Sequence, residues 1–107
     1  MTVARISIMK PSPGQKVAVE RLLDELEEHV SKMGGYIMGF RFAGVEDKEQ
    51  VGRISLWRTH QEADHAATQD HTIALRARIH RAIEPGHLES LVEVTGNPRN
   101  IPAPHSH

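Results

Sequence analysis

Arg53, Ser55 and Trp57 alternate along Val51-Gly-Arg-Ile-Ser-Leu-Trp-Arg58. This run reads as a strand, so the three side chains share one face of it. That face would hold a fixed cation, a hydroxyl and the only indole in the chain. Arg5 and Ser7 repeat the cation and hydroxyl on a second β-rich run, Thr2 to Met9. A guanidinium next to a hydroxyl can hold an oxyanion, and an indole gives a planar ligand a wall. Proton transfer near neutral pH calls for histidine. His71 precedes Leu75 by four residues and is expected to look inward with it, which makes it the first candidate for a general base. His65 is grouped with the binding residues.

Each of these residues also has an ordinary structural role. His71 would be a partly exposed residue at a helix start, and Trp57 the largest core side chain with its N–H bonded to backbone. Arg53 is expected to pair with Glu89 or Glu93 on a fourth strand, and Arg5 and Ser7 carry the same ambiguity. His60, His65 and His71 cluster with Asp64 and Asp70 between them, but they form no His-x-x-x-His pair and no His-Glu-x-x-His motif, so no metal site is expected. Glu25, Glu27 and Glu28 read as a solvated helix face.

The elements that must position these residues follow in order. Thr2 to Met9 is the first strand. Ser12, with Pro13 and Gln15 behind it, reads as the cap of a helix. Val19, Leu22, Leu23, Leu26, Val30 and Met33 make that helix's apolar stripe, and Gly34-Gly35 ends it. Tyr36 to Ala43 and Val51 to Arg58 form a hairpin across the polar turn Gly44 to Gln50. Thr59 with Glu62 caps a short helix through Ala63, Ala66 and Ala67. Asp70 caps another, with Leu75, Ile79, Ala82 and Ile83 on one face, and Pro85-Gly86 stops it. His87 to Thr95 is the last strand.

The order is β-α-β-β-α-β, a ferredoxin-like α+β plan: a four-stranded antiparallel sheet with helices on one face. It predicts a domain over residues 1–95 and a Pro-rich tail or arm over 96–107. Ile6, Ile8, Tyr36, Met38, Phe40, Phe42, Ile54, Leu56, Leu88, Val92 and Val94 recur at alternate positions, with further apolar residues among the intervening ones. Helices can cover only one face of such a sheet. A second copy packed sheet on sheet would cover the other, which predicts a homodimer.

The 107 residues carry 13 Lys+Arg against 14 Asp+Glu with the basic residues dispersed, so no nucleic-acid partner is expected. The absence of cysteine excludes disulfides and thiol catalysis. With a mean hydropathy of −0.44 and no long apolar run, no membrane partner is expected. The N-terminus lacks the order of a signal peptide, and the expected location is cytoplasmic.

In Lys10-Pro-Ser-Pro-Gly14, Leu56-Trp57-Arg58-Thr59, Glu62-Ala63 and Asp70-His71 the chain resembles the antibiotic-biosynthesis-monooxygenase-like proteins, over about residues 2–95. The resemblance implies a dimeric α/β barrel with a pocket between helices and sheet in each subunit. It also implies oxidation of a small aromatic or quinol-like compound by molecular oxygen, with no cofactor. In that chemistry His71 would be the base, Arg53 or Arg5 the anion holder and Trp57 the platform, with Ser7, Ser55 and His65 lining the site.

A haem-degrading branch of the same fold has an asparagine on the first strand and a tryptophan in the helix after the third. Here Ser7 and Ala66-Ala67 occupy those regions, which argues against haem chemistry, and an absorbance spectrum tests it. The alternative from a different class is a non-catalytic barrel that binds a small ligand or a partner. The low aromatic content, 4%, counts for it.

Overall fold

Period-two alternation along the strands decides the fold, because each strand has one set of side chains turned to the helices and one turned away. A computed structural model describes residues 1–97, and the expected tail lies outside that span from residue 98 on. The elements are β1 (Val3–Met9), α1 (Lys16–Val30), β2 (Tyr36–Ala43), β3 (Val51–Trp57), α2 (His60–Ala67), α3 (Asp70–His80) and β4 (Leu88–Glu93). The four strands form one antiparallel sheet in the order β2-β3-β1-β4. This is the ferredoxin-like α+β fold.

Val3, Met9, Val51 and Trp57 point from the sheet into a core closed by Val19, Leu22, Leu23, Leu26 and Val30 of α1, Ala63 and Ala66 of α2, and Leu75 and Ile79 of α3. Burying a leucine or valine side chain in this way contributes about 1.5–3 kcal/mol. On the other face the register sets Ile8 beside Leu88 and Gly52, Ile6 beside Ile54, and Phe40 and Met38 beside Ile54 and Leu56. This face is apolar and open: Phe40 is 50% exposed and Leu88 65%. Tyr36 does not belong to it, contrary to expectation. An irregularity between Tyr36 and Met38 shifts the alternation, and the Tyr36 ring packs edge-on to Trp57 under the helices. Val94 lies beyond β4, its N–H bonded to the Thr2 carbonyl at 2.9 Å.

Several predicted boundaries move: α3 ends at His80, leaving Ala82 and Ile83 past the helix where Ile83 bridges Pro11, and three others shift for a local reason. Ser12 does not cap α1. Pro13 and Gly14 (φ +79°) make a reverse turn closed by Gln15 N–H donating to the Ser12 carbonyl at 2.9 Å, so the helix starts at Lys16 with no side-chain cap. α1 ends at Val30, and the loop from Ser31 reaches Gly35 (φ +88°) before β2 begins. Gln69 rather than Asp70 is the residue before α3. The Thr59 cap is as read: its hydroxyl accepts from Glu62 N–H at 3.1 Å and donates to the Glu62 carboxylate at 3.0 Å.

Candidate functional site

The helix-facing row of β1 and β3 carries the polar residues that the sequence singles out. Cross-strand pairing puts Ser7 opposite Arg53 and Arg5 opposite Ser55, with Trp57 at the end of the row. Ser7, Arg53, Ser55 and Trp57 are all buried. Trp57 Nε1 donates to Ser55 Oγ at 3.0 Å, and Arg53 donates to the same oxygen at 3.1 Å. The indole partner is thus a side chain two residues back on the same strand face, not backbone.

Arg53 does not pair with Glu89 or Glu93. β1 lies between β3 and β4 in the sheet, and the guanidinium instead reaches the helix above, donating Nε–H to Glu27 Oε1 at 3.1 Å. The Glu27 side chain is only 15% exposed, so it is no solvated residue like its neighbours. It sits at the edge of the Leu23, Leu26 and Val30 stripe, where a carboxylate can turn inward if a cation meets it. Tyr36 also donates to it. Burial and this bond to Glu27 push the phenol well above its ordinary value. Glu89 accepts from Ser7 Oγ at 3.2 Å and from Arg76 of α3.

Two compartments open between helices and sheet on either side of Arg53 and Arg76. The first, about 20 Å³, is lined by Ser7, Arg53, Arg76, His80, His87 and Glu89 over an apolar floor. Its two imidazoles lie 4.6 Å apart between centroids. At Met9 and His87 it borders an open groove of about 360 Å³, which also touches Lys10, Asp47 and Glu84. The second, about 10 Å³, is lined by Arg5, Arg53, Trp57, Thr72 and Arg76 among small apolar side chains. Since one water needs about 10–15 Å³, both are snug. Burial holds Arg5 below its ordinary value; Glu89 and Asp64 oppose this, whereas Arg76 and Arg53 add to it.

His71 lies elsewhere. It is exposed on α3, with its ring edge-on to His29 of α1 at 4.4 Å, and it lines neither compartment. Its four-residue spacing to Leu75 does not turn it inward, because α3 buries the row Thr72, Leu75 and Ile79. His65 is exposed and contacts Gln69. Among the described residues, no three His, Cys, Asp or Glu side chains converge as metal ligands. The residues missed were Glu27, Thr72, Arg76, His80, His87 and Glu89. Thr72, Arg76 and His80 follow one another at four-residue steps along α3, a signal the sequence does carry.

A buried cation and hydroxyl on a sheet, below a helix that supplies histidine, sit in a ferredoxin-like α+β domain with a polar cleft beneath α3. Solved structures share that fold across most of their length. SnoaB, a cofactor-independent oxygenase from Streptomyces nogalater, in a variant form, superposes with a TM-score of 0.81 at 10% identity, covering 90% of this chain and 95% of that one. Rv0793 from Mycobacterium tuberculosis gives 0.82 at 16% identity, covering 91% and 98%. A structure named antibiotic biosynthesis monooxygenase gives 0.77 at 17%, covering 88% and 99%. At these identities the likeness is one of fold. No protein-family model matches the chain, and no curated protein sequence matches it.

Proposed function

We propose that two copies of this chain form a barrel in which each subunit oxygenates a small phenolic or enolisable compound, aromatic or quinol-like, with molecular oxygen and no cofactor. The observation that carries this reading is the first compartment. It sets the buried Arg53 guanidinium and the Ser7 hydroxyl opposite two imidazoles at the border of an open groove. A ring nitrogen of His87 or His80 takes the proton from the substrate hydroxyl or acidic carbon. Arg53, which is buried, and Arg76 stabilise the resulting oxyanion at the inner end of the compartment. The electron-rich anion is itself the reductant: its carbon adds dioxygen, the peroxide takes back the proton from the imidazolium, and loss of water leaves a carbonyl, so one oxygen atom ends in the product and the other in water. The groove outside holds the body of the substrate, since the compartment has room only for its reacting edge. Trp57, Ser55 and Arg5 act from behind. His71 and His65 have no part in this version, because neither reaches the cleft.

Oxygen uptake with a panel of anthrone- and quinol-type compounds tests it. A compound that is turned over should lose roughly 100-fold or more in kcat with His87→Ala or His80→Ala, the scale expected for a general base. His71→Ala should leave uptake unchanged. No uptake across the panel overturns the reading.

The compartment beside Trp57 favours a second reading, a non-catalytic barrel that binds a small ligand. It measures about 10 Å³, and its indole N–H is already bonded to Ser55. Under that reading ligands raise the Tm, oxygen is not consumed, and neither histidine variant alters binding.

A further inference from the structure

The second compartment has a charge pattern that the oxygenase reading leaves unused. Its lining includes three guanidinium groups, Arg5, Arg53 and Arg76, and no acidic side chain. Two of the three are engaged from outside it, Arg53 by Glu27 and Arg76 by Glu89. Among the described residues Arg5 forms an ion pair only with Asp64, at 3.5 Å, while Glu89 acts on it from farther off; the Asp64 carboxylate is 58% exposed and shared with His60 at 3.1 Å. Facing the same space is Thr72, 3% exposed, whose hydroxyl has no hydrogen-bond partner among the described residues. A buried hydroxyl without a partner costs about 1–3 kcal/mol, and a ligand that accepts from it recovers that loss.

We propose that this compartment is a subsite for a carboxylate, held by the Arg5 guanidinium and the Thr72 hydroxyl with Trp57 as its wall. The planar fork of one weakly paired guanidinium matches a carboxylate in two parallel hydrogen bonds. A phosphate dianion would need more than one uncommitted cation and more room. The wall from α2 is Ala63, Ala66 and Ala67, and the space of about 10 Å³ admits a carboxylate group once Arg5 turns away from Asp64. The inference goes beyond the oxygenase reading, because this subsite lies on the far side of Arg53 and Arg76 from the compartment that takes the reacting edge. Carboxylate binding can be measured without turnover.

Trp57 is the only tryptophan, so all tryptophan emission comes from the indole that walls this compartment. The full-length protein is titrated at fixed salt with benzoate and acetate, and with benzamide and acetamide as neutral counterparts. Saturable change with the acids and none with the amides is the expected result. Arg5→Gln should weaken benzoate about tenfold or more, Arg5→Lys less, and Thr72→Val several-fold, on the scale of a charge-assisted and a neutral hydrogen bond. Arg58→Gln, an exposed arginine outside the compartment, should change nothing. Equal response to benzoate and benzamide, or no saturable response to either, overturns the proposal on the native protein even if a variant fails to fold. So does unaltered benzoate affinity in a folded Arg5→Gln. Oxygen uptake on neutral phenols without carboxylate binding would sink this proposal alone. Carboxylate binding without any uptake would sink the oxygenase reading alone.

Discussion

Ser55 holds two donors at once, and its own side chain is wholly buried. Ser55→Ala would strand the Trp57 N–H and one arm of Arg53 away from water, at a cost of about 2–3 kcal/mol in urea denaturation. Gly39 on β2 is equally constrained. A Cβ there would press on the Glu27 carboxylate and lie 2.6 Å from the Tyr36 hydroxyl, so Gly39→Ala forces Glu27 off Arg53 and Tyr36. Tyr36 is the only tyrosine, which makes the effect readable in a spectrophotometric titration. In the native protein the phenol is held above its ordinary 10.0 by burial and by the bond to Glu27. A raised folded value means the unfolded chain loses this proton first, so stability falls as pH rises past about 10. Native tyrosinate absorbance should therefore appear only with unfolding, and in Gly39→Ala it should appear at lower pH.

At the scale of elements, α1 and α3 meet through two histidines rather than through apolar contact alone. His29 Nε2 is enclosed without a partner, and its ring packs edge-on to His71. Burial first, then His71 and Lys32, hold His29 below its ordinary 6.5. A lowered folded value means the unfolded chain takes up the proton first. Stability at this contact is thus fully present above about pH 6.5 and is lost as pH falls below it. Thermal melts between pH 7.5 and 5.5 should show the loss, and His29→Gln should flatten that part of the profile. His71→Asn removes only the contribution of the neighbouring imidazole, so it should have the smaller effect. A base in the cleft would behave otherwise, changing turnover and not the melting profile.

At the scale of the molecule, the proposed association turns on the sheet face away from the helices. Phe40, Met38 and Leu88 stand about half exposed or more beside Ile54, Leu56 and Ile8, a patch that water disfavours. The proposed dimer covers it. Phe40→Glu should shift sedimentation from two copies to one while leaving the helix-side core intact, since the two faces share no side chains. A native protein that sediments as one copy at high concentration removes the barrel from the proposal. Among the described residues, no helix is long and apolar enough to cross a membrane.

Local signals were sufficient wherever a neighbour in sequence decides the outcome. Period-two runs specified the strands and the two faces of the sheet, the Thr59–Glu62 pair specified a helix start, and alternation put Arg53, Ser55 and Trp57 on one surface. The irregularity after Tyr36 was invisible, because alternation assumes an unbroken ladder. Tertiary structure alone decided which partners those residues have. Strand order put β1 between Arg53 and the acids of β4, so the guanidinium turned to Glu27, a residue that reads as solvated in sequence. The face that α3 turns to the sheet put Arg76 and His80 beside the cleft and left His71 outside it. A cation's choice of carboxylate, and a helix's choice of face, depend on what stands across the gap, and one-dimensional periodicity carries no record of that.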